Sequence, residues 1–223
     1  MRLGVATICV GKDFTTAVAP ATITKEAYCK KHGYSLSVVS EIESPARPLS
    51  WYKLPLIERM LSDYDWVWTT DADALVTNDN SCIDSIIEQH PDKDLILSND
   101  CHADCNCGSF LIRNCPWSFE LLSLWWNQTH HIGSEEPGDY WEQDAMVEML
   151  QMNYLALDKH SVRIDQRMFN SFYKPFIELP AEAKWQQGDF ICHVSGGTTR
   201  KASLGIYMRQ AYMEAFGKPF EEH

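Results

Sequence analysis

The run Trp66-Val-Trp-Thr-Thr70 is followed at once by Asp71-Ala-Asp73, and no other stretch constrains the chain as much. Aromatic and β-branched residues in succession make a strand that is buried on both faces, the kind found inside α/β sheets. Ligands of such sheets bind beyond the carboxyl ends of the strands, which is where this chain sets two carboxylates. Side chains two positions apart on a strand share a face, so Asp71 and Asp73 are expected to share a hard divalent cation. Mg²⁺ takes one or two carboxylates together with the phosphates of its substrate. The pair therefore points to chemistry on a nucleotide diphosphate. Acidic pairs are common in solvated loops, and it is the position after a buried strand that sets this one apart.

Strands and helices alternate around the junction. Strand patterns are predicted over 3–10, 34–40, 65–70, 94–98, 108–113, 154–157, 162–164 and 190–194. Helical patterns are predicted over 13–31, 54–62, 82–89, 117–126, 141–151 and 204–216. Asp13 is placed to cap the first helix, Gly33 to end it, and Pro20 to start, kink or interrupt it. Residues 127–139 are polar and broken by Gly and Pro, which reads as a loop. The pattern implies a single α/β domain over 1–223, with a central, mixed, mainly parallel sheet flanked by helices.

Composition narrows the partners. A net charge of −12 argues against nucleic acid and against anionic lipid. No apolar run approaches the roughly 18 residues of a membrane-spanning helix, and the apolar N-terminal run is too short for a secretion signal. The eight cysteines read as reduced thiols of a cytosolic protein. Around His102, the Cys101-x₃-Cys105-x-Cys107 spacing lacks the second ligand pair of structural zinc. A soluble, cytoplasmic enzyme is expected, and the initiator-like Met1 favours a compact protein over an excised domain.

His193 ends the late apolar stretch Phe190–Val194, and an imidazole there completes an Asp, Asp, His ligand set. Mn²⁺ accepts this mixed shell more readily than Mg²⁺. A lone histidine reads more readily as a core or surface residue, but its neighbourhood favours the metal. Gly196 and Gly197 permit close backbone approach, and Arg200 and Lys201 offer cations to a leaving diphosphate. Trp125, Trp126, Tyr140, Trp141, Phe172 and Tyr173 are the aromatics available as an acceptor-sugar platform, with core packing the competing role for each.

Several blocks together resemble glycosyltransferase family 34, the retaining α-galactosyl-, α-mannosyl- and xyloglucan α-xylosyltransferases. They are Tyr28-Cys-x-x-His32-Gly-Tyr34, Trp51-Tyr-Lys53-Leu-Pro-Leu56, Trp68-Thr-Thr-Asp71-Ala-Asp73-Ala74, Asn106–Ser118, Glu142-Gln143-Asp144-Ala145 and Gly188–Gly196. The resemblance implies a GT-A fold, a UDP- or GDP-sugar donor with UDP favoured, Mn²⁺ or Mg²⁺, and a saccharide acceptor. It implies Asp71, Asp73 and His193 as metal ligands, and Gln143 beside the reacting sugar carbon with Glu142 next to it. It places Asn106 and Gly108 in the donor-sugar pocket, with Lys53, Ala6, Thr7 and Gly196 on the nucleotide side.

Trp141-Glu142-Gln143-Asp144 departs from the family's usual Asp-Asp-Gln followed by a small residue, and the family cysteine after the late histidine is replaced by Gly-Gly-Thr-Thr-Arg-Lys. The residues alone leave the stereochemistry open. A covalent route needs Glu142 or Asp144 as nucleophile, and an inverting one needs either as base. The resemblance implies retention by front-face attack, with Gln143 stabilising the cationic sugar. A nucleotide-sugar hydrolase or nucleotidyltransferase using the same metal pair, or a non-catalytic sugar-binding module, are the competing readings.

Overall fold

The computed structural model describes residues 1–132, 141–173, 178–195 and 201–221, with the side chains of Lys201 and Ala202 excepted. At its centre β1 (Leu3–Ile8) lies parallel to both β2 (Ser35–Val39) and β3 (Trp66–Thr70). Beyond β3 come β6 (Asn106–Arg113), β5 (Leu95–Ser98) and β7 (Ser161–Ile164). β6 runs antiparallel to β3 and β5, and β7 is parallel to β5. The reversal of β6 matters for the site. It sets the start of that strand beside the end of β3, with Thr70 opposite Ser109.

All five residues of β3 are buried, as its unbroken apolar and β-branched run requires. Alternation sorts the side chains between two cores. Val67, Phe110, Ile112, Leu95 and Leu97 face one side, under α3 (Lys53–Leu61), α5 (Pro116–Trp126) and α6 (Glu142–Gln151). Trp66, Trp68, Leu111 and Ile96 face the other, with Tyr28 of α2 (Ala19–His32) and Ile83 of α4 (Ile83–Glu88).

A second sheet completes the fold. β4 (Ala74–Val76) leaves the Asp71–Asp73 turn, pairs antiparallel with β9 (Ile191–His193), and β9 pairs parallel with β8 (Ser171–Phe172). Leu75 and Cys192 from this sheet pack on Val18, Ala21 of α2, and Leu204 and Met208 of α9 (Lys201–Phe216).

Most predicted elements are present within a residue or two, and the differences have local causes. The first helical stretch divides at Val18 into α1 (Lys12–Ala17) and α2, with Pro20 in the first turn of the second. Gly33 closes α2 at φ 73°, the left-handed geometry that glycine adopts without a Cβ clash. Asp13 is not the cap. Gly11 holds that position and Asp13 lies in the first turn.

Tyr154–Leu157 is no strand: a 3-10 turn over Tyr154–Ala156 leads into α7 (Leu157–His160). Asn153, Leu155 and Ala156 all have positive φ there, so the backbone folds back instead of extending. β4, β8 and the one-turn α8 (Gln166–Phe169) had no sequence signal, being four residues or fewer.

The fully buried Trp68 donates its indole N–H to Ser109 Oγ at 2.9 Å across the β3–β6 pair. Ser109→Ala would orphan that donor in a dry core, and is expected to cost about 1–3 kcal/mol in a urea unfolding titration.

Candidate metal and donor site

Backbone pairing assembles the centre. Asp71 directly follows β3, and its N–H donates to Gly108 O at 2.8 Å, which ties the turn to β6. The Asp71 carbonyl accepts from Ala74 N–H at 3.2 Å, so the two aspartates flank a tight turn and do not lie on a continuous strand. β4 then aligns Ala74 with His193, and Val194 N–H donates to Asp73 O at 2.9 Å. One ligand atom from each of Asp71, Asp73 and His193 lies within 4.8 Å of the others.

The imidazole is oriented from behind. His193 Nδ1 meets Asn170 Oδ1 at 2.9 Å, while Nε2 faces Asp73 Oδ1 at 3.2 Å. Asn170 Nδ2 donates to Asn106 Oδ1 at 2.6 Å, and Asn106 Nδ2 donates to Asp100 Oδ2 at 2.7 Å. A ring N–H given to Asn170 leaves the Nε2 lone pair for a cation, the usual way an outer partner fixes a metal-binding tautomer. Asn106 thus serves as the middle of a buried relay. Both lone pairs of its amide oxygen are engaged, the second by Gly108 N–H at 2.8 Å.

Gly108 is the floor of the centre. A Cβ there would lie 2.5 Å from His193 Cε1, 2.8 Å from Asn106 Oδ1 and 3.0 Å from Asp71 Oδ2. Two carboxylates, one imidazole and a floor without a side chain suit an octahedral ion of the Mn²⁺ or Mg²⁺ kind, which keeps further positions for phosphate and water.

Lys53 joins this centre to α6. Its buried ammonium donates to Asp71 Oδ1 at 2.7 Å, Glu142 Oε1 at 2.7 Å and Cys107 O at 3.0 Å. Burial disfavours the charge, but Asp71 and Glu142 outweigh it and hold the lysine well above its ordinary pKa. Desolvation likewise works against the Asp71 carboxylate, and Lys53 foremost pulls its pKa below the usual range. All three ammonium donors are used inside the protein. None is left over for the nucleotide that Lys53 was expected to hold, and the ammonium instead ties Asp71 to α6.

Lys25 carried no sequence signal, yet it lies fully buried beneath the turn. It donates to Asp71 O at 2.6 Å and to Ala72 O at 3.3 Å. Burial lowers its pKa to about 8, against the pull of Asp73 and Asp71.

The residues of the α6 start separate. Gln143 Oε1 accepts Cys107 N–H at 3.0 Å, at the edge of the centre. Glu142 is buried, and its Oε2 has no hydrogen-bond partner among the described residues. Asp144 is exposed and accepts Trp141 N–H at 3.0 Å, an ordinary helix-start role that does not bring it to the site.

Ala6 is enclosed in the core, and Thr7 gives its hydroxyl to Thr70 O. Both side chains are buried, Ala6 in the core on one face of the sheet, so neither opens to a ligand. Gly196, Gly197, Arg200 and Tyr140 lie outside the described residues, as does the Lys201 side chain. Among the aromatics, Trp125 is core and donates to Glu142 O, Phe172 packs edge-on against His193, and Tyr173 bonds Glu214. Trp126 is covered by the Arg47 guanidinium, 3.7 Å from a ring centroid, and Trp141 is half exposed.

Fold and centre together define a GT-A domain, with its acidic turn beyond a central strand and a late histidine beside it. The model of the galactosyl transferase GMA12/MNN10 family matches residues 18–90 and 79–203, and the chain belongs to that family, glycosyltransferase family 34. Probable glycosyltransferase 3 of rice (Oryza sativa subsp. indica) is 36% identical over 120 residues, 47% of this chain and 25% of that protein. Probable xyloglucan 6-xylosyltransferase 5 of Arabidopsis thaliana is 33% identical over 111 residues, 44% of this chain and 23% of that one. The matched region thus spans about a quarter of each relative's length.

Two solved structures share the fold. A glycosyltransferase involved in glycosylating the major capsid of PBCV-1 superposes with TM-score 0.74 at 16% identity, covering 94% of this chain and 100% of the other. Galactosyltransferase LgtC, solved with donor and acceptor sugar analogues, gives 0.59 at 15% identity, covering 99% and 97%.

Gly108→Ala is expected to push His193 and Asp71 apart. The parent's thermal midpoint should rise with added Mn²⁺ and the variant's should not; an equal rise in both refutes the cradle. Lys53→Met would leave Asp71 and Glu142 without their cation, and is expected to cost about 3–5 kcal/mol in denaturant unfolding.

Proposed function

We propose that this chain is a metal-dependent glycosyltransferase domain that moves a sugar from a UDP-sugar to a saccharide hydroxyl with retention. The convergence of Asp71, Asp73 and a rear-anchored His193 above a glycine floor carries the reading. Those three side chains would hold Mn²⁺ with the donor's diphosphate. The ion supplies Lewis-acid stabilisation of the charge on the departing diphosphate.

The protein's own groups do the rest. Lys53 keeps Asp71 ionised and fixed, and Asn170 holds the histidine in its ligating tautomer. From the sequence, Arg200 and Lys201 are the cations available to offset charge on the leaving diphosphate. Gln143, positioned by Cys107 N–H, has a second lone pair on its amide oxygen to set against the cationic sugar carbon. The acceptor hydroxyl attacks on the leaving-group face and passes its proton to the departing phosphate. Glu142, buried and held by Lys53, stays in the background and forms no bond to the sugar.

UDP release from a panel of UDP-sugars, with and without saccharide acceptors, tests this. Turnover should need Mn²⁺, stop with EDTA, and fall at least about a hundredfold in Asp73→Ala and His193→Ala, as when a transition-state donor is lost. Parent-like turnover by either variant defeats the metal site. UDP release that no acceptor accelerates makes the protein a hydrolase instead.

A further inference from the structure

Among the described residues, one other group of metal-ligating side chains converges, away from Asp71, Asp73 and His193. His130 and His131 occupy the 3-10 turn Thr129–His131 after α5, and Glu148 lies on α6. His130 Nε2 is 3.0 Å and His131 Nε2 2.7 Å from the same atom, Glu148 Oε2. The two rings sit 4.3 Å apart, centroid to centroid. Neighbouring residues of a 3-10 turn project about 120° apart, at three residues per turn, yet these two imidazoles close on a single point.

The spacing is that of a coordination shell. Ligands about 2.0–2.1 Å from a tetrahedral ion stand about 3.3 Å from one another. The observed His–Glu separations, 3.0 and 2.7 Å, are hydrogen-bond distances a few tenths of an ångström shorter, so the side chains must part slightly to admit an ion. The donor chemistry also differs from the first centre. Two imidazoles and one carboxylate form the open zinc set, with a fourth position for water, whereas two carboxylates and one imidazole favour Mn²⁺ or Mg²⁺.

We propose that His130, His131 and Glu148 form a second metal site, selective for Zn²⁺ or a similar borderline transition metal. The ion would staple the turn after α5 to α6. That helix carries Glu142 and Gln143 in its first turn, so the staple fixes the element that presents them to the first centre. Glu148 lies one turn beyond Asp144 and close to two turns beyond Glu142, so a clamp there restrains the helix along most of its length. The site is open to solution, with His131 the most enclosed of its ligands and His130 the least.

The test is a zinc titration of the whole chain against a chromophoric chelator, with circular dichroism to confirm folding. The parent is expected to take up two equivalents, and His130→Gln/His131→Gln one. Asp73→Asn/His193→Gln should retain the one that the histidine pair variant loses. Glu148→Gln, which keeps the shape of the side chain, should weaken that equivalent more than about tenfold, the least that even an outer-sphere change costs. A zinc isotherm unchanged by either His130→Gln/His131→Gln or Glu148→Gln overturns the proposal. Because the readout is metal uptake, it stands or falls independently of whether sugar transfer is found.

Discussion

A single buried ammonium holds the centre of this molecule together. Lys53 begins α3 and meets the Asp71 carboxyl after β3, a carbonyl of β6, and the carboxyl that starts α6. Four elements converge on three hydrogen bonds. A lysine sealed from water is expensive unless its charge and every donor are matched, and here they are. Two carboxyl groups face one ammonium, beside the place where a divalent ion would sit. Lys25, under the same turn, binds only backbone carbonyls and is driven towards its neutral form by burial. The two lysines therefore act differently: one pairs the carboxylates, the other supports the turn between them.

The histidine side is rigid for a separate reason. From His193 through Asn170 and Asn106 to Asp100, each amide accepts from the site side and donates outward. The two amides have no freedom to flip without breaking bonds at both ends. Gly108 closes the same space from below. Any side chain there would meet the imidazole, Asn106 and Asp71 at once. The placing of His193 and Asp71 is thus fixed by their neighbours, which is what preorganised metal chemistry requires.

Much of this was legible in the chain. The two-faced burial of β3, the strands β5 and β6, the Pro20 start and Gly33 stop of α2 all follow from apolar patterning and backbone sterics. So does the placing of Asp71 and Asp73 beyond a strand end. What failed was short or non-local. Three-residue β4 and two-residue β8 fall below any pattern, and Tyr154–Leu157 is an apolar run whose length suits a strand but whose backbone turns left-handed. Lys53 was set on the nucleotide side by the family resemblance alone. Only the fold reveals that its donors are already spent. Asn170 and Lys25 lie in segments with no motif, since nothing in one dimension marks a buried polar residue.

The sequence by itself determined the class of fold, the carboxylate pair and the late histidine, because these depend on local periodicity and on side-chain chemistry. Tertiary structure decided which groups serve them. The antiparallel return of β6 puts Gly108 beneath Asp71, and the β4–β9 pair puts His193 against Asp73. α6 packs so that Glu142 faces Lys53 while Asp144 turns to solvent. Contacts between residues 18 to 120 positions apart arise from strand order and helix packing, and no spacing along the chain encodes them.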